Sequence, residues 1–203
     1  MDSYSAVVLA GGRATRLGGA NKARLEVGGV PLIDRVIAAL RPLADQIVVV
    51  GHLAGEVARP GVEVVPDAFP SGSTLVGIYS GLRAARNDLA LVVGCDMPFL
   101  STPMLRMIAR MAEGYDLAVP RVGTMLEALH AAYRRSCLPA MELAIERQQF
   151  KIVDLYPLVR VREVGEEDLR AVDPNLRSFF NVNTPSDLER ARALVAQRET
   201  GIP

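Results

Sequence analysis

The sequence predicts an α/β fold built on a mostly parallel sheet, and two observations lead to this prediction. Short runs rich in β-branched residues alternate along the chain with longer amphipathic runs. The short runs are apolar throughout, which is typical of strands that helices cover on both faces. The 203 residues suffice for one good-sized domain, so we expect a single domain over residues 1–203.

The strands follow in chain order from the short apolar runs. The predicted strands are residues 6–9, 47–50, 62–65, 89–93, 116–119, 129–133 and 159–164. Helical patterns separate most of these apolar runs, which indicates a mostly parallel sheet. The second half is less regular, and residues 121–180 leave room for antiparallel strands and a subdomain.

The helices follow from the amphipathic runs between the strands. The predicted helices are residues 31–40, 74–86, 103–111, 138–146 and 185–197. Thr102 before Pro103 predicts an N-cap followed by proline at the first helical position. Thr184 before Pro185 repeats this signal, and Asp187 adds an acid three residues after the cap.

Composition and charge exclude several classes of function. The chain carries 23 basic and 23 acidic residues, so it lacks the basic excess of a nucleic-acid binder. No apolar run approaches the length of a membrane span, and no basic segment precedes the first apolar residues as in a signal peptide. Cys95 and Cys137 could form a disulfide, but free thiols in a reducing cytoplasm are favoured. We therefore expect a cytoplasmic protein that binds neither nucleic acid nor membrane.

The loop after the first strand has the composition of a phosphate-binding loop. Gly11 and Gly12 end the apolar run, and the cations Arg13, Arg16 and Lys22 follow within the next ten residues. Glycines let backbone N–H groups approach a phosphate, and cations neutralise its charge. The spacing matches neither the Walker loop nor the dinucleotide fingerprint, so a Walker-type ATPase and a dinucleotide oxidoreductase are both disfavoured.

Candidate functional residues follow the first four strands. Gly11 and Gly12 come after the first strand, Gly51 and His52 after the second, Asp67 after the third, and Cys95 and Asp96 after the fourth. The carboxyl ends of parallel strands line one crevice, where ligands bind in open α/β sheets. We therefore expect these positions to converge on one site.

Four polar residues have alternative interpretations. Asp96 at a strand end could hold Mg²⁺ opposite the phosphate loop, or could be a turn residue before Pro98. Asp67 could bind a ligand or cap its own turn. Asn181 and Asn183 face the same way on an extended segment, suited to a polar heterocycle, a metal's water shell or a capped strand end.

Other residues with reactive or ligating side chains are interpreted as structural. We interpret His52 and His130 as structural or incidental, Cys95 and Cys137 as buried small residues, and the methionines at 97, 104, 107 and 111 as helix-face core.

The chain resembles the molybdenum cofactor guanylyltransferase family. The matching segments are Leu9-Ala-Gly-Gly12, Arg16-Leu-Gly18, Lys22, Gly29-Val-Pro-Leu32, Asp67, Cys95-Asp-Met-Pro98 and Phe179-Phe-Asn-Val-Asn-Thr-Pro-Ser-Asp-Leu188. One departure is Ser73-Thr-Leu-Val-Gly77, which stands where the family usually has Gly-Pro-Leu-Ala-Gly. The resemblance implies a three-layer α/β/α Rossmann-like nucleotidyltransferase fold with a mostly parallel, mixed sheet.

The resemblance also implies substrates and residue roles. GMP would pass from GTP to molybdopterin (or molybdenum cofactor) with release of pyrophosphate, and other cofactor-biosynthesis proteins and molybdenum enzymes would be further partners. Asp96, Lys22 and Arg16 would be catalytic, and Asp96 would also bind Mg²⁺, the expected cofactor. The nucleotide would contact Leu9, Ala10, Gly11, Gly12, Lys22, Asp67 and Asp96, and the pterin would contact Asn181 and Asn183.

Two other functions remain open from the sequence. The chain could be a CTP-dependent or sugar-phosphate nucleotidyltransferase of the same fold, although the Gly11–Gly12 pair favours GTP. It could also be a non-catalytic nucleotide-binding module, because residues 73–77 depart from the family pattern.

Overall fold

The fold is built around a central β-sheet. The computed structural model describes residues 3–10, 22–51 and 59–199. The strands are β1 (Tyr4–Leu9), β2 (Glu26–Val27), β3 (Val30–Pro31), β4 (Ala44–Val50), β5 (Val62–Val65), β6 (Leu89–Gly94), β7 (Leu117–Val122), β8 (Met125–Leu126), β9 (His130–Arg134) and β10 (Val161–Val164). The helices are α1 (Leu32–Leu40), α2 (Thr74–Ala84), α3 (Thr102–Met111), α4 (Leu138–Glu146), α5 (Glu166–Val172) and α6 (Pro185–Glu199).

The sheet is mixed, with a parallel half next to an antiparallel half. The strand order is β10-β7-β9-β6-β1-β4-β5, and β8 pairs with β7 at the side. Strands β6, β1, β4 and β5 are mutually parallel, while β9 runs antiparallel to both β6 and β7. The sequence-based expectation of antiparallel strands within residues 121–180 is therefore confirmed, and β2 and β3 form a separate small hairpin.

Helices cover the sheet on both faces because its central strands carry apolar residues on both faces. Ala6 and Val8 of β1 pack into a cluster with α1, α3 and α5, whereas Val7 and Leu9 pack into a second cluster with α2 and α4. All six residues of β1 are buried. This arrangement is the three-layer α/β/α architecture that the family resemblance implies, with the covered sheet that the strand pattern predicts.

Helix α6 brings the C-terminal part of the chain back beside its N-terminal part. Val182, Leu188, Ala191 and Val195 pack in a third apolar cluster with Val27 and Leu32. Thr184 caps α6: its Oγ1 accepts from the Asp187 N–H at 3.1 Å, and the Asp187 carboxylate accepts from the Thr184 N–H at 2.9 Å. The predicted capping arrangement is confirmed, and it fixes the segment just before α6.

The prediction of Thr102 as the cap of α3 is wrong. The cap is Ser101, whose Oγ accepts from the Met104 N–H at 3.4 Å. Thr102 is the first helical residue, and its hydroxyl donates to the Ala39 carbonyl of α1 at 2.8 Å. Serine and threonine can both cap a helix. Here the Thr102 hydroxyl is bound to α1, and Ser101 caps α3.

Helix α5 and the short strands β2, β3 and β8 have no counterpart among the predicted elements. Leu169 is the one buried residue of α5, so the helix shows no apolar periodicity. Within the described ranges, no helix combines the length and the apolar character that crossing a membrane requires.

Candidate active site

The carboxyl ends of four parallel strands form one continuous rim. Backbone hydrogen bonds extend beyond the strands: Ala10 donates to Val50, Gly51 to Val65, and Cys95 to Leu9, at 2.9 to 3.1 Å. These bonds hold the first residues after β1, β4 and β6 in register with their neighbours. The predicted convergence of the strand ends on one edge is therefore confirmed for the described residues.

A cleft of about 310 Å³ opens along this rim. It is lined by Leu9, Ala10, Lys22, Val50, Asp67, Gly72, Ser73, Thr74, Gly77, Gly94, Cys95, Asp96 and Leu129. One wall is the start of α2, where Ser73 caps the helix by accepting from the Val76 N–H at 3.2 Å. The segment that departs from the family pattern thus forms a regular helix start that faces β1.

Gly77 allows α2 to approach β1 closely at this wall. A Cβ atom at Gly77 would lie 3.2 Å from Leu9 Cδ1 and 3.7 Å from Asp67 Oδ1. The distance to Leu9 is tighter than most Cβ contacts, so a side chain at this position would have to displace Leu9 by a few tenths of an ångström. Gly77 therefore keeps space open between the Leu9 and Asp67 side chains.

Lys22 joins the ends of the chain across the cleft. Its Nζ donates to Asp96 Oδ2 at 3.1 Å and to Asn183 Oδ1 at 2.8 Å. The Lys22 and Asp96 side chains are 19% and 21% exposed, so water only partly screens this ion pair. An ammonium, a carboxylate and an amide oxygen meet at one point, although 161 residues separate Lys22 from Asn183.

Gly94 makes room for the Asp96 carboxylate. A Cβ atom at Gly94 would lie 2.6 Å from Asp96 Oδ1, closer than a real Cβ contact. The absence of a side chain at the last residue of β6 therefore lets the carboxylate fold back over the strand end. Gly94 was not identified from the sequence as a residue that shapes the site, because a glycine at the end of a strand usually only terminates the strand.

A second cavity of about 280 Å³ adjoins the cleft. It is lined by Asp96, Met97, Glu127, Ala128, Leu129, Asn181 and Asn183. Asp96 and Leu129 line both spaces, so the cleft and the cavity meet at the Asp96 carboxylate. Two ligands bound in these spaces would face each other across Asp96.

The structure brings most of the predicted site residues together. Leu9, Ala10, Lys22, Asp67 and Asp96 line the cleft, whereas Asn181, Asn183 and again Asp96 line the second cavity. Asn181 Nδ2 donates to the Phe179 carbonyl at 3.1 Å, which orients the amide. Gly11, Gly12 and Arg16, as well as Arg13 and His52, lie outside the described residues. The roles of all these residues remain predictions.

Other titratable groups near the site have structural surroundings. Cys95 is buried beside Asp96, and burial, with a smaller effect of that carboxylate, raises the pKa of its thiol to about 12. Both cysteines are free thiols, as predicted. His130 is fully buried, with its ring centroid 4.4 Å from that of Phe179. Burial lowers the pKa of His130 to about 3, so the imidazole stays neutral.

Asp96, the predicted magnesium ligand, has one carboxylate oxygen paired with Lys22. Its Oδ2 accepts from Lys22, and the structure records no hydrogen bond to Oδ1 from any other described residue. Among residues 3–10, 22–51 and 59–199, no three His, Cys, Asp or Glu side chains cluster as a ready-made metal site. Mg²⁺ characteristically takes one or two protein carboxylates and fills its other positions with phosphate oxygens and water. One carboxylate at the junction of two ligand spaces fits that ion.

Comparison with known proteins agrees with this geometry. The family described as MobA-like NTP transferase domain matches residues 6–159. A probable molybdenum cofactor guanylyltransferase from Pelotomaculum thermopropionicum is 43% identical over 195 residues, which are 96% of this chain and 95% of the relative. The molybdenum cofactor guanylyltransferase of Desulfosudis oleivorans is 36% identical over 96% of this chain and 97% of its own length.

Solved structures show the same relationship. Molybdopterin-guanine dinucleotide biosynthesis protein A from Archaeoglobus fulgidus superposes with a TM-score of 0.84 at 30% identity, covering 95% of this chain and 99% of that one. A 2-C-methyl-D-erythritol 4-phosphate cytidylyltransferase from Thermus thermophilus superposes with a TM-score of 0.71 at 20% identity, over 96% of this chain and all of that one. The second similarity concerns the fold alone.

Proposed function

Because this chain belongs to the MobA-like NTP transferase domain family and is a nucleotidyltransferase, we propose that it transfers GMP from GTP to molybdopterin. Its curated relatives are named molybdenum cofactor guanylyltransferase. The observation that carries the proposal is the meeting of two ligand-sized spaces at the Lys22–Asp96–Asn183 cluster. A transferase of this kind needs one space for the nucleotide and one for the acceptor, with the reacting phosphates between them.

The reaction we propose is in-line displacement at phosphorus. A terminal phosphate oxygen of molybdopterin forms a bond to the α-phosphorus of GTP, and the bond to the pyrophosphate oxygen breaks. The phosphate nucleophile is already ionised near neutral pH, so no general base is needed. The neutral His130 and the protonated Cys95, both buried, agree with a site that works without one.

The chain's own residues supply position and charge. Lys22 donates toward the junction of the two spaces, where negative charge accumulates during transfer. Gly11, Gly12 and Arg16 would add backbone N–H groups and a further cation on the phosphates. Leu9, Ala10 and Asp67 would contact the nucleotide, and Asn181 and Asn183 would contact the pterin side of the acceptor.

Asp96 would hold Mg²⁺ by its carboxylate. When bound, this ion would neutralise charge on the phosphates of both substrates. Lys22 contacts the same carboxylate, so it would keep Asp96 oriented toward the junction. We also infer that residues 1–203 form one domain, since the described elements pack on one sheet. We expect the enzyme to work in the cytoplasm, whose reducing conditions suit two free buried thiols.

The test is pyrophosphate release with molybdopterin, Mg²⁺ and each of GTP, CTP, ATP and UTP in turn. We expect pyrophosphate release with GTP. Release with CTP alone would instead favour a CTP-dependent nucleotidyltransferase of the same fold. Binding of GTP without any release would favour a nucleotide-binding module.

Asp96→Ala should abolish turnover, because it removes the carboxylate at the junction. Asp154→Ala is the matched control, since Asp154 is an exposed aspartate in a 3-10 helix away from the cleft. Normal Mg²⁺-dependent activity of Asp96→Ala would refute the assignment of Asp96.

A further inference from the structure

Glu127 is a carboxylate in the second cavity whose position neither the fold nor the transfer chemistry explains. It follows β8 directly and lines the cavity together with Asn181 and Asn183. The side chain is partly buried. Within residues 3–10, 22–51 and 59–199, its carboxylate makes no hydrogen bond and no ion pair. Other acidic residues do have such partners: Asp116 accepts from Arg160, and Glu163 accepts from Arg121.

Burial without a partner is unfavourable for a carboxylate. Burial raises the pKa of Glu127, and no cation or donor of the described residues offsets this effect. A desolvated acceptor that lacks donors costs free energy in the folded protein. A residue kept in such surroundings has the properties of a binding group whose donors come from a ligand.

Hydrogen bonds fix the backbone around Glu127, so its Cα stays at the edge of the second cavity. The Glu127 N–H donates to the Pro120 carbonyl at 2.9 Å, and its own carbonyl accepts from the His130 N–H at 3.0 Å. The next residue is fixed as well, since the Tyr133 hydroxyl donates to the Ala128 carbonyl at 3.0 Å. The turn that leads into β9 is therefore complete without the Glu127 carboxylate.

The charge of Glu127 decides which part of an acceptor it can bind. A carboxylate repels the acceptor's phosphate, which belongs near Lys22 and Asp96. Two ionised oxygens instead accept two neighbouring N–H donors in a bidentate arrangement. A pterin presents such a pair, namely the 2-amino group and the adjacent ring N–H of its aminopyrimidinone edge.

We propose that Glu127 binds the aminopyrimidinone edge of the acceptor's pterin and thereby selects a pterin over other phosphorylated acceptors. This assignment rests on the proposed guanylyltransferase function. Guanine carries the same edge, so the nucleotide is a second possible source of these donors. The acceptor is favoured because Glu127 lines the cavity with Asn181 and Asn183 and does not line the cleft with Lys22 and Asp67.

The experiment measures Kd values for molybdopterin and for GTP with the wild type, Glu127→Gln and Glu127→Ala. Glutamine keeps the size of the side chain but replaces one acceptor oxygen with a donor. Loss of a charge-assisted, bidentate interaction should weaken molybdopterin binding by about 10- to 100-fold and leave GTP binding unchanged. Glu167→Gln, an exposed glutamate in the first turn of α5, is the matched control and should change neither Kd.

Binding of simple pterins tests the chemistry directly. Lumazine resembles pterin but carries an oxygen in place of the 2-amino group, so it offers Glu127 an acceptor where pterin offers a donor. Competition by pterin-6-carboxylate and lumazine-6-carboxylate against molybdopterin should favour the pterin in the wild type. The preference should fall at least several-fold in Glu127→Gln, whose amide can donate to the lumazine oxygen.

Stability separates this role from a structural one. Because the carboxylate is desolvated and has no partner among the residues that the structure describes, Glu127→Gln should melt at the same temperature as the wild type or higher. An unchanged Kd for molybdopterin in both variants would overturn the proposal, as would a weakened Kd for GTP or a shift confined to Mg²⁺ dependence. A wild type that binds GTP but never binds molybdopterin would refute the proposed function itself, and this assignment with it.

Discussion

Gly94→Ala should impair catalysis while leaving the fold intact. The new Cβ would lie 2.6 Å from Asp96 Oδ1, whereas real Cβ contacts shorter than 3.0 Å essentially do not occur. The carboxylate must therefore retreat by about 0.4 Å at least, and by roughly twice that for ordinary van der Waals contact. The retreat would also strain the 3.1 Å bond from Lys22 Nζ to Asp96 Oδ2.

The size of the effect follows from this displacement. Misplacing a reacting group by 1 Å can cost about 100-fold in rate, so a shift of roughly half that distance should lower kcat/KM by about 10-fold. Stability should change by less than about 1 kcal/mol, because Gly94 does not adopt a left-handed backbone conformation that alanine would resist.

The assay is the steady-state rate of pyrophosphate release as a function of Mg²⁺ and GTP, together with a thermal melt. Gly165→Ala is the matched control, because a Cβ there would meet only Asp168 Oδ2, at 3.9 Å. Wild-type kcat/KM in Gly94→Ala, with an unchanged Mg²⁺ dependence, would refute the reasoning about Asp96. Loss of activity together with a much lower melting temperature would show that the contact matters for folding instead.

Three further outcomes follow from the contacts around the site. Lys22→Ala should lower kcat about 100-fold or more, as loss of a charge-stabilising donor does, and a rate within threefold of wild type would contradict its place at the junction. His130→Leu should flatten the pH dependence of the free energy of unfolding. The pKa of His130 is about 3 in the folded protein, below its ordinary value of 6.5. Because the unfolded chain therefore takes up a proton that the folded protein does not, the wild type loses stability as the pH falls below about 6.5. Chemical denaturation should show the wild type losing about 2 kcal/mol more than the variant between pH 6 and 4, and parallel curves would refute the burial argument. Because burial raises the pKa of both Cys95 and Cys137 to about 12, neither should react with Ellman's reagent at pH 8 until the protein is unfolded in urea; fast reaction of native Cys95 would show that the rim opens.

The parallel half of the fold was predictable because its signals are local. The strands near Val7, Val48 and Val92 are continuously apolar, and each ends in glycine or a polar residue, so both type and direction follow from the sequence. Helix α5 was not predictable, since it buries Leu169 alone and so lacks an apolar face.

The candidate site was likewise predictable from the sequence only in part. The clustering of Asp67 and Asp96 follows from strand order, because parallel strands bring their carboxyl ends to one edge. The contact between Lys22 and Asn183 does not follow from the residues alone, since it depends on how α6 packs against β2. Glu127 gave no sequence signal, because an acid in the connection between β8 and β9 looks like any solvated residue. Its partial burial without a partner among the described residues distinguishes it.

The bond between Lys22 and Asn183 bears on how the protein is made. Because synthesis proceeds from the N-terminus, β1 and Lys22 leave the ribosome long before Asn183 does. Until then Asp96 holds a counterion but the second cavity lacks the wall that Asn181 and Asn183 provide. Under the proposed function, a nascent or prematurely terminated chain would hold described residues of the nucleotide cleft without a complete place for the acceptor. Transfer between the two substrates would then require that the segment with Asn181 and Asn183 has been made.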